Sequence, residues 1–208
     1  MARISKRTAT LLVILICVLS VYATKSLMQQ FRKDGSTATS ARIKGNDHAP
    51  IKVTEFIDFQ CFACAYGAAY LKETIKKHPE AIQVEVKHFP LQMHRHGLSS
   101  SRYAECAARQ GGFWPFQDML LARQGNWMRF VDADPAFLRI ADDSGLDEKK
   151  LEACLKDYTV DEAIEKNKEE GKVLGVKSTP TYFINGKMVV GGKSLEEEIK
   201  KLLEENGY

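Results

Sequence analysis

Two cysteines three positions apart, Cys61 and Cys64, are the residues of this chain best placed to do chemistry. They stand in Cys61-Phe62-Ala63-Cys64, where a β-rich run hands over to a helical one. A thiol at a helix start meets unsatisfied N–H groups and the positive end of the helix dipole, and both favour thiolate. Thiolate is the nucleophile of disulfide exchange. Cys61 is therefore expected to attack. Cys64, one turn on and heading an apolar stripe, is expected to resolve the mixed disulfide. Glu55, six residues before Cys61 in an otherwise apolar strand, is the candidate to exchange a proton with Cys64, because burial raises a carboxyl pKa. A strand-edge acid reaching solvent is the alternative for Glu55. The same CxxC spacing also serves zinc, which needs further Cys or His ligands. His94 and His96, with His88 beside them, are the nearest donors, although solvated loop histidines explain all three as well.

The elements that must position these residues are readable from period and punctuation. Residues 51–59 (IKVTEFIDF) are short and rich in β-branched and aromatic residues, a strand. Residues 61–77 carry Cys64, Ala68, Leu71 and Ile75 at helical spacing, and 82–89 alternate with period two. This makes a β-α-β unit with a parallel pair. Residues 97–175 look helical in several pieces, broken at Gly111-Gly112. Asp134-Pro135 offers a cap and a first-turn proline, and Thr159 with Glu162 fits a capping box. Asn185-Gly186 between two β-rich runs signals a hairpin. A second box, Ser194 with Glu197, opens a last helix running to about 205.

The N-terminus sets the compartment. Residues 9–23 (ATLLVILICVLSVYA) are apolar apart from Thr10 and Ser20, and follow Arg3, Lys6 and Arg7. A basic segment before a short apolar run is the pattern of a secretory signal, with Val21 and Ala23 suited to cleavage after Ala23. The run is short for a spanning helix, which takes ~17–25 residues, yet it can serve as an anchor. In either case the remainder lies outside the cytoplasm. Residues 24–46 read as a flexible linker and 47–208 as the folded domain. Cys17 lies inside the apolar run and is assigned no chemistry. The formal charge of +3 comes wholly from the first seven residues, so the rest offers no electrostatic case for nucleic acid.

EFIDFQCFAC, the helical block, GVKSTPTYFING and a final helix together resemble an exported DsbA-type thiol:disulfide oxidoreductase over about residues 48–206. The resemblance implies an α/β thioredoxin fold with a helical insertion. It also implies that Thr179-Pro180 is a cis-proline pair beside the CxxC that binds substrate backbone. Substrates would be cysteine-containing exported proteins, with a membrane redox partner to recycle the CxxC. No cofactor is implied, since the two thiols carry the electrons. The chain departs from the best-known members between the cysteines, where Phe62-Ala63 replaces Pro-His. That removes one source of thiolate stabilisation and moves the expectation towards a milder oxidant or an isomerase, within the same chemistry. The readings are thus an oxidant, a reductase or isomerase kept reduced by a membrane partner and, from the CxxC spacing, a metal-binding or metal-delivery module using Cys61, Cys64 and His94 or His96. With the CxxC committed, Cys106 and Cys154 are left as each other's partner, and an oxidising compartment favours their disulfide over two free thiols. Some members of the resembled family carry such an extra bridge. Phe113, Trp114, Phe116, Leu120 and Leu121 are expected as helical core.

Overall fold

The computed structural model describes residues 15–22 and 38–208. The chain divides into two units, Met1–Ser36 and Thr37–Tyr208. In the first, residues 15–22 are helical, with Cys17 exposed. The rest of the run 9–23, the cleavage site after Ala23 and most of the linker lie outside the described residues. Among the described residues no helix is long and apolar enough to cross a membrane.

The second unit is built on a five-stranded sheet. Its strands are β1 (Ile43–Gly45), β2 (Ile51–Ile57), β3 (Ile82–His88), β4 (Thr181–Ile184) and β5 (Lys187–Val190), in spatial order β1-β3-β2-β4-β5. β2 and β3 run parallel, joined through helix α1 (Phe62–Lys77), and every other neighbouring pair is antiparallel. β2 is central, so both of its edges are paired. Ile51, Val53, Glu55 and Ile57 alternate with Lys52, Thr54 and Phe56, as strand geometry requires. Asn185 and Gly186 turn the β4–β5 hairpin with φ of 48° and 84°, the left-handed conformation that this dipeptide adopts most readily.

Helix α1 buries Cys64, Gly67, Ala68, Leu71 and Thr74, one face at helical spacing, and ends before His78-Pro79. The last helix, α8 (Gly192–Glu205), buries Leu195, Ile199 and Leu203. Between β3 and β4 stand six helices: α2 (Gly97–Arg109), α3 (Phe113–Ala122), α4 (Gln124–Trp127), α5 (Asp134–Asp143), α6 (Glu148–Leu155) and α7 (Thr159–Val173). Their core is aromatic. Trp127 and Phe137 meet at 5.1 Å between ring centroids, and Tyr103 reaches Phe137 at 5.2 Å. Cys106 of α2 and Cys154 of α6 form a disulfide. Phe113, Phe116, Leu120 and Leu121 are core residues, and Trp114 is half-buried against them.

Several expectations need correcting. The linker does not extend to residue 46: residues 38–41 are helical and β1 pairs with β3. This segment has too few apolar residues to announce itself. It is held instead by Arg42, buried in an ion pair with Glu105 of α2. Glu105 also meets His88 Nε2 at 3.3 Å and Arg109 at 3.6 Å. Burial alone would raise the Glu105 carboxyl, but His88, Arg42 and Arg109 win and hold it at about 2. The helix starts differ too. Tyr158, not Thr159, caps α7, and the Asp157 carboxylate accepts from the Thr159 N–H at 2.9 Å. α8 opens at Gly192 after Gly191, which puts Ser194 inside the first turn, and Asp134 is the first residue of α5 rather than its cap. In each case a side chain or glycine nearer the chain's actual bend outcompetes the sequence motif.

Candidate active site

β2 ends at Ile57, and the next four residues carry the chain onto the N-terminus of α1. Each of them is tied down. The Asp58 carboxylate, fully buried, accepts from Gln60 N–H at 2.8 Å, Leu91 N–H at 2.7 Å and the His94 ring at 2.8 Å. The Phe59 carbonyl accepts from Gln124 Nε2 at 2.6 Å, and Gln60 Oε1 accepts from His96 N–H, also at 2.6 Å. Cys61 N–H donates to the Asp58 carbonyl at 3.0 Å. The result is a rigid approach to Cys61, which is the N-cap of α1 and spends no side-chain hydrogen bond on capping.

The two thiols are unlike. Cys61 is half-buried and its neighbours Phe62 and Ala63 are exposed, whereas Cys64 is fully buried. The Cys61 pKa is lowered to about 5. The hydrogen bond from the Cys64 thiol contributes most and outweighs the opposing burial; the main-chain amides of Cys64 and Ala63 and the side chain of Thr179 add to it. For Cys64 the balance reverses. Burial, the Cys61 contact and the charge of Glu55 push it well above the ordinary value. At neutral pH the pair holds a nucleophile outside and a protonated thiol inside.

Thr179-Pro180, between α7 and β4, lies against this pair: the Cys61 thiol donates to the Thr179 carbonyl at 3.3 Å, and the Thr179–Pro180 peptide bond is cis. Glu55 is below. It is 1% exposed on β2, opposite Tyr182 of β4 in the sheet register. Desolvation raises its carboxyl to about 8, with the nearby Tyr182 hydroxyl offsetting part of the effect. Neither Glu55 Oε1 nor the Tyr182 hydroxyl closes a hydrogen bond. Tyr182 fits there because α1 has glycine opposite it: a Cβ on Gly67 would stand 1.8 Å from the Tyr182 hydroxyl.

Thus Cys61, Cys64, Glu55, Thr179 and Pro180 gather at one end of β2, and Cys106 and Cys154 lie apart in the insertion. His88 and His96 are buried, so the solvated-loop reading fails for them, whereas His94 does lie in a loop with its side chain partly exposed. His88 is buried beside Glu105 and held below its ordinary pKa, first by that burial; the His96 ring bonds the Phe130 carbonyl at 2.9 Å; His94 engages Asp58. Among the described residues no three His, Cys, Asp or Glu side chains stand together as metal ligands. Asp58, Gln124 and Tyr182 went unnoticed in the sequence. An acid inside the apolar run 51–59 was the available signal for Asp58, as it was for Glu55; nothing local marks the other two.

A parallel β2–β3 pair with α1, an antiparallel β4–β5 hairpin with α8, a helical insertion between them and a CxxC at the start of α1 define a thioredoxin fold with a helical insertion. The chain belongs to the thioredoxin family, whose model matches residues 37–205. Among solved structures it is similar to the thiol-disulfide exchange protein alpha-DsbA2 of Wolbachia pipientis, with TM-score 0.67, 21% identity, and 88% of this chain and 96% of that one covered. A periplasmic thioredoxin-like protein of Salmonella enterica serovar Typhimurium matches with TM-score 0.65 and 21% identity, over 81% and 95% of the two chains. In sequence it is 30% identical over 149 residues to a Na(+)/H(+) antiporter, NhaA, of Herminiimonas arsenicoxydans, covering 72% of this chain and 23% of the antiporter. The chain spans about a quarter of the length of that relative.

Proposed function

We propose that the chain donates a Cys61–Cys64 disulfide to cysteine thiols of exported proteins. A substrate thiolate attacks Cys61 Sγ, the Cys61–Cys64 bond breaks, and its electron pair leaves on Cys64. The substrate's second thiolate then attacks the substrate sulfur of the mixed disulfide and releases Cys61 as thiolate. The substrate loses two electrons and the CxxC gains them. Glu55, largely protonated at neutral pH, supplies the proton that Cys64 needs on leaving, and Pro180 with Thr179 forms the surface against which substrate backbone lies.

The single observation that carries this reading is the inequality of the thiols, with Cys61 held near 5 and Cys64 far above it. A stabilised Cys61 thiolate stabilises the reduced protein, and that makes the disulfide form an oxidant even without a histidine between the cysteines. The apolar run after three basic residues supports an extracytoplasmic site of action, anchored by 9–23 or released after Ala23, and the periplasmic relative agrees with it. A membrane redox partner would reoxidise the pair. In the experiment, Cys64→Ser pre-oxidised with a small disulfide is offered substrate proteins with a single reduced cysteine, which have no second thiol to resolve the adduct: mixed disulfides must accumulate on Cys61. Adducts at cysteines other than Cys61, or a reduction potential as low as that of a dedicated reductase, would overturn the proposal.

A further inference from the structure

The sheet ends at β5, and among the described residues no strand pairs with its outer edge. What that edge presents follows from the hairpin. Ile184 stands opposite Lys187, Tyr182 opposite Val189, and Gly191 N–H bonds the Pro180 carbonyl at 3.0 Å. Hydrogen-bonding direction alternates along an antiparallel strand. The main-chain groups of Lys187, Val189 and Gly191 therefore point inward to β4, and those of Met188 and Val190 point outward. No turn, loop or cap hydrogen bond of the described residues engages them. The Met188 and Val190 side chains share a face with Phe183 and Thr181 and are 49% and 50% exposed. Tyr182 and Val189 turn to the other face, where Tyr182 meets α1 at Gly67. Exposed edges are usually guarded by charge, proline or a bulge, because a bare edge pairs with any extended chain. β5 carries no such guard at its outward positions. Its charged residue, Lys187, lies on the face of Val189 and is held by Glu198 of α8 at 2.5 Å. A Cβ on Gly186 or Gly191, at either end of the strand, would meet nothing within 4 Å, so the approach is open.

One N–H and one C=O on each of Met188 and Val190 make an edge that matches a copy of itself. Laid antiparallel about Val189, Met188 exchanges both bonds with Val190 of the second copy, and Val190 exchanges both with its Met188. Every outward N–H and C=O of the strand then has a partner. The residues brought opposite each other suit the pairing. Met188 stands beside Val190, an apolar cross-strand pair on the exposed face. Lys187 falls opposite Gly191, so no like charges meet. We propose that β5 is the interface of a homodimer, in which Met188 and Val190 pair antiparallel with Val190 and Met188 of a second copy and carry one sheet through both. A twofold axis makes this contact isologous and closed, whereas any other partner must supply the same register from a different sequence. A strand pair of this length is small beside the ~1,200 Å² at which stable interfaces begin, so association belongs in the micromolar-to-millimolar range.

The test follows the full chain in detergent by sedimentation and by amide hydrogen exchange, over a concentration series reaching ~1 mM. Dimers must form, and the Met188 and Val190 amides must become protected in step with them. The Val189 amide, already turned to β4, should stay protected throughout. Val190→Lys supplies the charge with which natural edges guard themselves. It should weaken association at least ~10-fold and leave Cys61 alkylation unchanged. If Val190→Lys does not fold, Met188→Lys carries the same readouts. A chain that stays monomeric to ~1 mM overturns the proposal. So do dimers that persist undiminished in these variants, with no protection at Met188 and Val190, since the contact then lies elsewhere in the chain. Protection of the two amides that is complete in the monomer assigns the edge to another segment of the same chain. Protection that appears only on adding reduced substrate protein assigns it to substrate. Either result overturns self-pairing.

Discussion

Cys61 and Thr179 are 118 positions apart in the chain, yet the Cys61 thiol donates to the Thr179 carbonyl at 3.3 Å. Thr179 also offers a buried hydroxyl that no other group uses. One residue can therefore accept from the thiol and, once the proton has gone, present a donor to the thiolate. The contact joins the start of α1 to the approach to β4, where Ser178 is exposed and Thr179 half-buried.

The Cys61 thiolate should be visible in alkylation. Its rate should rise with a midpoint near pH 5 and be flat by pH 7. Cys64→Ala removes the largest lowering contribution and should shift the midpoint upward. Cys64→Ser keeps a donor and should shift it less; Thr179→Val should shift it by the smallest amount. Because the folded value is depressed below the ordinary 9, the reduced form gains stability that is full above about pH 9 and is lost as pH falls through about 5. Reduced wild type compared with Cys61→Ser in denaturant titrations at several pH values checks the sign.

Glu55 should weaken the fold as pH rises. Its carboxyl stands at about 8 in the fold against an ordinary 4.5, so its contribution is intact below 4.5 and lost as pH rises through 8. The loss is on the order of a few kcal/mol at most. Glu55→Gln should flatten this dependence, leaving stability at pH 5 little changed and raising it at pH 8.5. A carboxylic C=O infrared band that persists at pH 7 and vanishes in the variant would report the protonated group itself.

The buried ion cluster should pin the start of the domain. Glu105→Leu leaves Arg42 and Arg109 without their shared carboxylate, which should cost ~3–5 kcal/mol. Amide exchange in β1 should accelerate, and the Cys61 alkylation profile should stay where it is. Since Glu105 lies at about 2, its contribution is full above about 4.5 and fades only as pH falls towards 2.

The Cys106–Cys154 bond closes a separation of 48 residues within the insertion. The chain-entropy model values such a loop at ~4 kcal/mol as an upper figure. The double variant Cys106→Ala/Cys154→Ala should lose stability up to that amount. Thiol exchange at Cys61 should survive, because neither cysteine touches the CxxC. Loss of exchange without loss of folding would reveal a coupling that this geometry does not provide.

What the sequence determined was local. A CxxC at a strand-to-helix change, the period of α1 and α8, and Asn185-Gly186 in its hairpin are each encoded within about a dozen residues, where hydrophobic period and backbone preference act directly. Glu55 stood out as an acid in an otherwise apolar strand, at the position where the resembled family carries one, and the same resemblance pointed to Thr179-Pro180. Tertiary structure decided the rest. Whether Glu55 is a proton carrier or a surface acid depends on how far Tyr182, seated over Gly67, helps bury it, and neither is its neighbour in sequence. The end of the linker was likewise set by Arg42 finding Glu105 some sixty residues on, not by any pattern in residues 38–45. A pKa and an edge strand share this property: both are fixed by desolvation and by partners brought together through space, so they exist only once the chain has folded.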